Sequence, residues 1–239
     1  MSCERFYIER PPASRTVRLS PDESHHLRRV RRVNVGDDVV LFDGSGTDYL
    51  GRVKAFDRSG VTVEIVGEET TRREPDVAVT LAVSVVKQGA MHQLIDACTQ
   101  LGVKKLIPIR TARTVAKPGA GKPARWRRIA VEACKQCGRS IVPEVAPVVH
   151  LDDVLRQVNE HDVAVIASTG SDARPVARVV APSAGRVLCL VGPEGGFTDA
   201  ERAAALDAGC LPVSLSRSIL RTETAAAAAL AQMVGVAST

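Results

Sequence analysis

The last quarter of the chain, Val187 to Met233, limits the possible folds more than any other stretch. An apolar run, Val187 to Val191, ends in Gly192-Pro193-Glu194-Gly195-Gly196-Phe197. Thr198 with Glu201 three residues later then forms a capping box, which starts a helix. Gly209 is placed to close that helix, and Leu211 to Leu215 reads as a short apolar strand. A second polar bend, Ser216-Arg217-Ser218, leads into Ile219-Leu220-Arg221-Thr222-Glu223-Thr224 and an Ala-rich helix. Two strand-to-helix bends therefore lie one strand and one helix apart. At the carboxyl ends of neighbouring parallel strands such bends enclose a crevice for a small ligand. The glycine bend is neither G-x-G-x-x-G nor a Walker A loop, because it lacks the Gly-Lys-Ser/Thr ending. A bare Gly-Gly pair is first of all a tight turn.

Upstream, the same strand–helix alternation recurs. Val77 to Val86 is a near-continuous apolar strand, as in a sheet covered on both faces. Met91, Leu94, Ile95, Cys98 and Leu101 follow at helical spacing, and Gly102 closes that helix. Val103 to Ile109 and Asp162 to Ala167 are further strands, and Ser168-Thr169-Gly170 ends the latter. Between them, Arg125 to Gly138 and Leu151 to Asn159 read as helices, the first with Trp126, Ile129, Ala133 and Cys137 on one core-facing stripe. The alternation argues for a parallel α/β sheet from residue 73 to 239.

Residues 1 to 72 read differently. Short alternating runs, Arg5 to Ile8, Val39 to Phe42, Tyr49 to Phe56 and Val61 to Val66, are separated by turns at Asp43-Gly44-Ser45-Gly46 and Arg58-Ser59-Gly60. That pattern suggests a small β-barrel. Ser20-Pro21-Asp22-Glu23 opens a short helix that carries Arg28, Arg29, Arg31 and Arg32. Four arginines in five positions cannot share one helix face. They are either a solvated surface or contacts to phosphate, whose oxygens match the guanidinium fork. The polar stretch Glu68 to Pro75 is the linker.

Composition narrows the partners. Aromatic residues are 3% of the chain, so base stacking is not the main means of holding a nucleic acid. The net charge of +5 suits a polyanionic partner. Arg110, Arg113, Lys117 and Lys122 sit in a loop with Gly and Pro, either a solvated connection or an RNA clamp. No apolar stretch reaches the roughly 18–20 residues that span a bilayer, and the N-terminus has no signal-peptide core, so a cytoplasmic location is expected. Six dispersed cysteines read as reduced residues, and Cys134-x-x-Cys137 has no second pair or nearby His for a metal.

The motif G-P-E-G-G-F-T-x-x-E, followed by I-L-R-T-E-T-A, resembles the signature of the SPOUT methyltransferases. Within them it is similar to the bacterial 16S ribosomal RNA (uracil-N3)-methyltransferases of RsmE type. The similarity extends to R-F-Y, H-H-L, G-D-x-V and F-D-G-x-G near the N-terminus and to E-A-x-x-Q-x-x-R around Gln136 and Arg139. It implies an α/β SPOUT fold, with a parallel sheet and a C-terminal deep trefoil knot, preceded by a PUA-like RNA-binding barrel. It also implies S-adenosylmethionine as methyl donor without a metal, a homodimer, and the 16S rRNA of the small ribosomal subunit as partner. The donor would be held by Thr169, Gly192, Pro193, Glu194, Gly195, Gly196, Leu215, Ser216, Ile219 and Leu220. RNA contacts would fall to Arg5, Arg28, Arg31, Arg32 and Arg113. Two departures stand out: the family's second bend has Gly where this chain has Ser216, and Arg where it has Ser218.

Uracil N3 carries a proton and becomes nucleophilic once that proton leaves. The resulting charge spreads onto the ring oxygens, where a guanidinium favours it. Arg221 is the first candidate for that role and Arg139 the second. Arg221 could instead pair with Glu223 or Glu194. Glu194 is a candidate proton acceptor, or a group that orients the bend. Two other readings remain: ribose 2′-O methylation by a SPOUT enzyme, and a non-catalytic RNA-binding assembly factor.

Overall fold

A computed structural model describes residues 3–27, 33–58, 60–70, 73–116 and 122–237. It divides into two compact units, Met1–Glu74 with Val131–Val142, and Pro75–Ala130 with Pro143–Thr239. Nothing in the sequence marks Val131–Val142 as part of the first unit.

In the first unit, alternating side chains build one five-stranded sheet. Its strands are β1 (Glu4–Tyr7), β2 (Thr16–Arg18), β3 (Asp38–Phe42), β4 (Thr47–Asp57) and β5 (Gly60–Thr70), in the order β1-β3-β4-β5-β2. β3, β4 and β5 run antiparallel, while β1 joins β3 in parallel. Phe6, Leu41, Val53, Val61 and Val63 are buried on one face with Leu27. The helix α1 (Pro21–His25) starts where Ser20 Oγ accepts the Glu23 N–H. Arg28, Arg31 and Arg32 lie outside the described residues.

Buried ion pairs secure this unit, among them Lys135 with Glu23 and two that involve arginine. The Asp48 carboxylate accepts from Arg5 Nη1 at 2.7 Å and Nη2 at 2.6 Å, and from the Ser140 hydroxyl at 2.5 Å. Arg139 donates to both oxygens of Glu74, at 3.0 and 2.5 Å. Arg73 Nη1 donates to the Gly138 carbonyl, which ties down the same segment.

The second unit contains β6 (Ala78–Ser84), α2 (Gln88–Gln100), β7 (Lys105–Arg110), β8 (Glu144–Val145), β9 (Val149–His150), α4 (Leu151–Leu155), β10 (Val163–Ala167), β11 (Arg174–Pro175), β12 (Arg186–Val191), α5 (Asp199–Asp207), β13 (Leu211–Ser214) and α6 (Thr222–Ala237). The helix α3 (Lys122–Cys137) begins here and ends in the first unit. Every strand pairing of this sheet is parallel, and the order is β11-β13-β10-β12-β6-β7-β8 with β9 beside β7. Val79, Leu81, Ala82, Val83 and Ser84 of β6 are all 0% exposed, so both faces of that strand are covered. α6 packs on β6, β12 and α2. Its many alanines allow this close approach.

The end of α2 is a point of tight tolerance. Gly102 stops the helix at φ +94°, and a Cβ there would lie 2.3 Å from Pro75 Cγ. Gly102→Ala therefore meets both a strained backbone and a clash. A loss of about 2–3 kcal/mol is expected in urea unfolding. An unchanged midpoint would show that Pro75 yields freely.

Candidate active site

Three adjacent strands, β13, β10 and β12, end at the same edge of the parallel sheet. Their following loops, Ser168–Gly170, Gly192–Phe197 and Leu215–Leu220, line one cleft of about 440 Å³. β12 enters between β6 and β10, both earlier in sequence, so the strand order reverses here. Crevices at such reversals are where open α/β sheets bind ligands.

The glycine loop is shaped by its own backbone. The Gly196 N–H donates to the Pro193 carbonyl at 2.8 Å, and Gly196 sits at φ +69°. A Cβ on Gly192 would come within 3.1 Å of the Phe197 ring, so any larger residue there would have to push that ring aside by a few tenths of an ångström. Thr198 and Glu201 form the expected capping box at the start of α5. Glu201 does more than cap: its Oε1 also accepts the Ala112 N–H at 2.6 Å. Arg113 Nη1 donates to the Gly195 carbonyl at 2.7 Å. The loop after β7 is thus fastened onto the glycine loop from outside.

The second bend is held from the other side. Gln232 Nε2 of α6 donates to the Leu215 carbonyl at 2.9 Å. Ser216, which stands where a glycine was expected, uses its hydroxyl to accept the Ser218 N–H at 3.1 Å. This side-chain turn stabilises the bend locally. Thr222 Oγ1 donates to the Gly192 carbonyl at 3.1 Å, which links the two bends directly. Thr222 is 2% exposed. Thr222→Val preserves shape but leaves that carbonyl short of a donor, at a cost of about 1–2 kcal/mol. We expect a several-fold weaker binding of S-adenosylmethionine by calorimetry. Unaltered binding would mean that the link is dispensable.

Thr169, Gly192, Pro193, Glu194, Gly195, Gly196, Leu215, Ser216, Ile219 and Leu220 all line this cleft. Ile219 is 88% exposed at its lip. Arg221 is exposed and stands between Leu220 and Thr222, which both line the cleft. Arg221 and Glu194 form no ion pair with any described residue, so the pairing weighed for Arg221 is not found. Phe197, Arg202 and Ala225 also line the cleft and were not expected. For Phe197 the signal was present, since it ends the glycine motif.

Three of the candidate arginines have defined partners. Arg113 is exposed, lines the cleft and donates to the Gly195 carbonyl. Arg5 has a side chain only 9% exposed and engaged by Asp48, so within this chain it is a buried, paired cation. Arg139, 3% exposed, is held by Glu74 within the first unit. A buried guanidinium needs a carboxylate, and both arginines have found one.

Burial pushes the Cys98 and Cys134 thiols up to about 12 and the Cys210 thiol up to about 11. These are protonated, unreactive core residues. Among the described residues, no group of three or more His, Cys, Asp or Glu is arranged to hold a metal. None of the helices in the described residues is long and apolar enough to cross a membrane.

Comparison with known proteins defines the class. Residues 73–234 match the RNA methyltransferase domain family, and residues 19–66 match the RNA methyltransferase PUA domain. Ribosomal RNA small subunit methyltransferase E of Synechocystis sp. is 33% identical over 221 residues, covering 91% of this chain and 72% of that protein. The protein of the same name from Bacillus subtilis is 28% identical over 236 residues, covering 93% and 92%. The crystal structure of ribosomal RNA small subunit methyltransferase E from Neisseria gonorrhoeae bound to S-adenosyl methionine superposes with a TM-score of 0.89 at 33% identity, covering 97% of each chain. The chain thus carries an RNA methyltransferase domain and an RNA methyltransferase PUA domain. The chain belongs to the ribosomal RNA small subunit methyltransferase E family.

Proposed function

We propose that this protein transfers a methyl group from S-adenosylmethionine to N3 of a uridine in the 16S rRNA of the small ribosomal subunit. The observation that carries this reading is the convergence of three loops on one cleft, two of them tied together through Thr222 and Gly192, in a chain of this family.

The cleft suits the donor. Its volume of about 440 Å³ falls in the usual range for small-molecule sites. Pro193, Leu215, Ile219 and Leu220 offer apolar surface for an adenine ring, and the glycine loop offers backbone groups to the polar edges. The exposed Glu194 carboxylate lines the cleft and would favour a sulfonium held there. When bound, the donor supplies an activated methyl group, which leaves sulfur as the bond to nitrogen forms. The chain must align the acceptor and manage one proton. Glu194 is the proposed acceptor of the N3 proton. Arg221, exposed beside the cleft, then favours the charge on the uracil oxygens. Arg113 holds the glycine loop in position. Arg139 and Arg5 act through the fold of the first unit, and Arg28, Arg31 and Arg32 are left as the proposed phosphate contacts.

The same reading includes a trefoil knot, in which α6 tucks behind a sheet whose β12 enters between earlier strands. It includes a closed barrel for the first sheet, a homodimer and a cytoplasmic location. The deciding experiment is nucleoside analysis of 16S rRNA from a strain without the gene. N3-methyluridine should vanish and return on complementation with this chain. Its persistence would refute the assignment.

A further inference from the structure

A second, smaller cleft of about 220 Å³ opens past the carboxyl end of β6, between the starts of α2 and α3. The loop after β7 joins it to the first: Arg113 lines one cleft and Ala116 the other. Three residues of chain span at most about 11 Å, so the two clefts are near neighbours.

The residues lining the second cleft divide by chemistry. Val86, Met91 and Trp126 form a buried apolar floor. Lys87, Lys122 and Arg125 surround it, and Lys122 Nζ donates to Gln88 Oε1 at 3.1 Å. No Asp or Glu is among the described residues that line it. Neither α2 nor α3 has an acidic residue in its first turn, so the positive ends of both helices add to the same field. Cations gathered without a carboxylate repel one another, and a bound anion relieves that repulsion. The apolar floor asks for a flat, weakly polar body attached to that anion. At about 220 Å³ the cleft is smaller than the usual site that encloses a whole small molecule, and one nucleotide of a longer strand, only partly enclosed, answers the description.

We propose that this cleft holds a nucleotide of the RNA beside the one that is methylated, with its phosphate against Lys87 and Arg125. The proposal rests on the function inferred above, since it presumes an RNA substrate. Trp126 is the only tryptophan of the chain, so its fluorescence reports this cleft directly. The test is a titration with a five-residue oligouridylate, read by Trp126 fluorescence and by filter binding, with and without S-adenosylmethionine. The wild type should give a saturable fluorescence change. K87Q/R125Q should bind roughly tenfold more weakly, with a salt slope shallower by about 1.4, as expected for two lost phosphate contacts to a single strand. R156Q/R178Q removes the same charge elsewhere on this unit and should bind as the wild type does. Equal affinity in K87Q/R125Q, or an equal loss in R156Q/R178Q, would overturn the proposal. So would oligouridylate binding that leaves Trp126 unchanged, or inorganic phosphate binding as tightly as the oligonucleotide. Loss of the methyltransferase reading has a separate signature, the absence of S-adenosylmethionine binding in calorimetry.

Discussion

Asp48→Ala should destabilise the first unit by about 3–5 kcal/mol, the typical cost of removing one partner from a buried ion pair. The carboxylate is 5% exposed and accepts three hydrogen bonds, two from Arg5 and one from Ser140. Without it, the Arg5 guanidinium keeps only the Phe42 ring, 5.0 Å from its central carbon, the Ser140 hydroxyl and a long contact to the Arg139 carbonyl. Its Nε is already buried without a partner among the described residues. A buried cation so poorly matched retains most of its desolvation cost. The paired replacement Arg5→Met with Asp48→Leu removes both charges at similar volume and should recover most of the loss. Urea unfolding of the two variants measures both effects. A loss under about 1 kcal/mol for Asp48→Ala would mean that water reaches Arg5 and that the pair is not a buried one.

The second large effect is on catalysis. Arg221→Ala should lower kcat by about 10²–10³, the range seen when one donor to a developing anion is removed. Its side chain is exposed beside the cleft and makes no ion pair with a described residue, so the fold does not depend on it. S-adenosylmethionine affinity should therefore hold within about twofold, and the melting temperature should not move. Arg221→Lys keeps the charge but loses the planar fork, and should lie between. Full activity in Arg221→Ala would remove this residue from the mechanism. A parallel loss of cofactor affinity would make it part of the donor site instead.

Much of the site was legible because its signals are local. The Thr198–Glu201 capping box, the stop at Gly102 and the Met91–Leu94–Ile95–Cys98 stripe each depend on residues within a few positions of one another. The same holds for the glycine loop, whose turn is closed between Pro193 and Gly196. The change to Ser216 was visible as a departure from the family pattern. Its remedy, a hydroxyl that accepts the Ser218 N–H, follows from the side chain itself.

What the residues alone could not reveal was which distant groups meet. Arg5 with Asp48, Arg139 with Glu74, Arg113 with Gly195 and Thr222 with Gly192 are separated by 43, 65, 82 and 30 positions. An arginine reads the same in sequence whether it faces phosphate or a buried carboxylate. The sequence by itself determined the longer strands, the main helices and the two bends, because hydrogen-bond capping and apolar periodicity act over a few residues; the short strands β2, β8, β9 and β11, and the end of α4 at Leu155 rather than Asn159, were not legible there. Only the tertiary structure decided the partners: in the first unit because chain folding brings residues 43 and 65 positions apart together, and in the second because β12 enters between β6 and β10 and brings three loops to one edge.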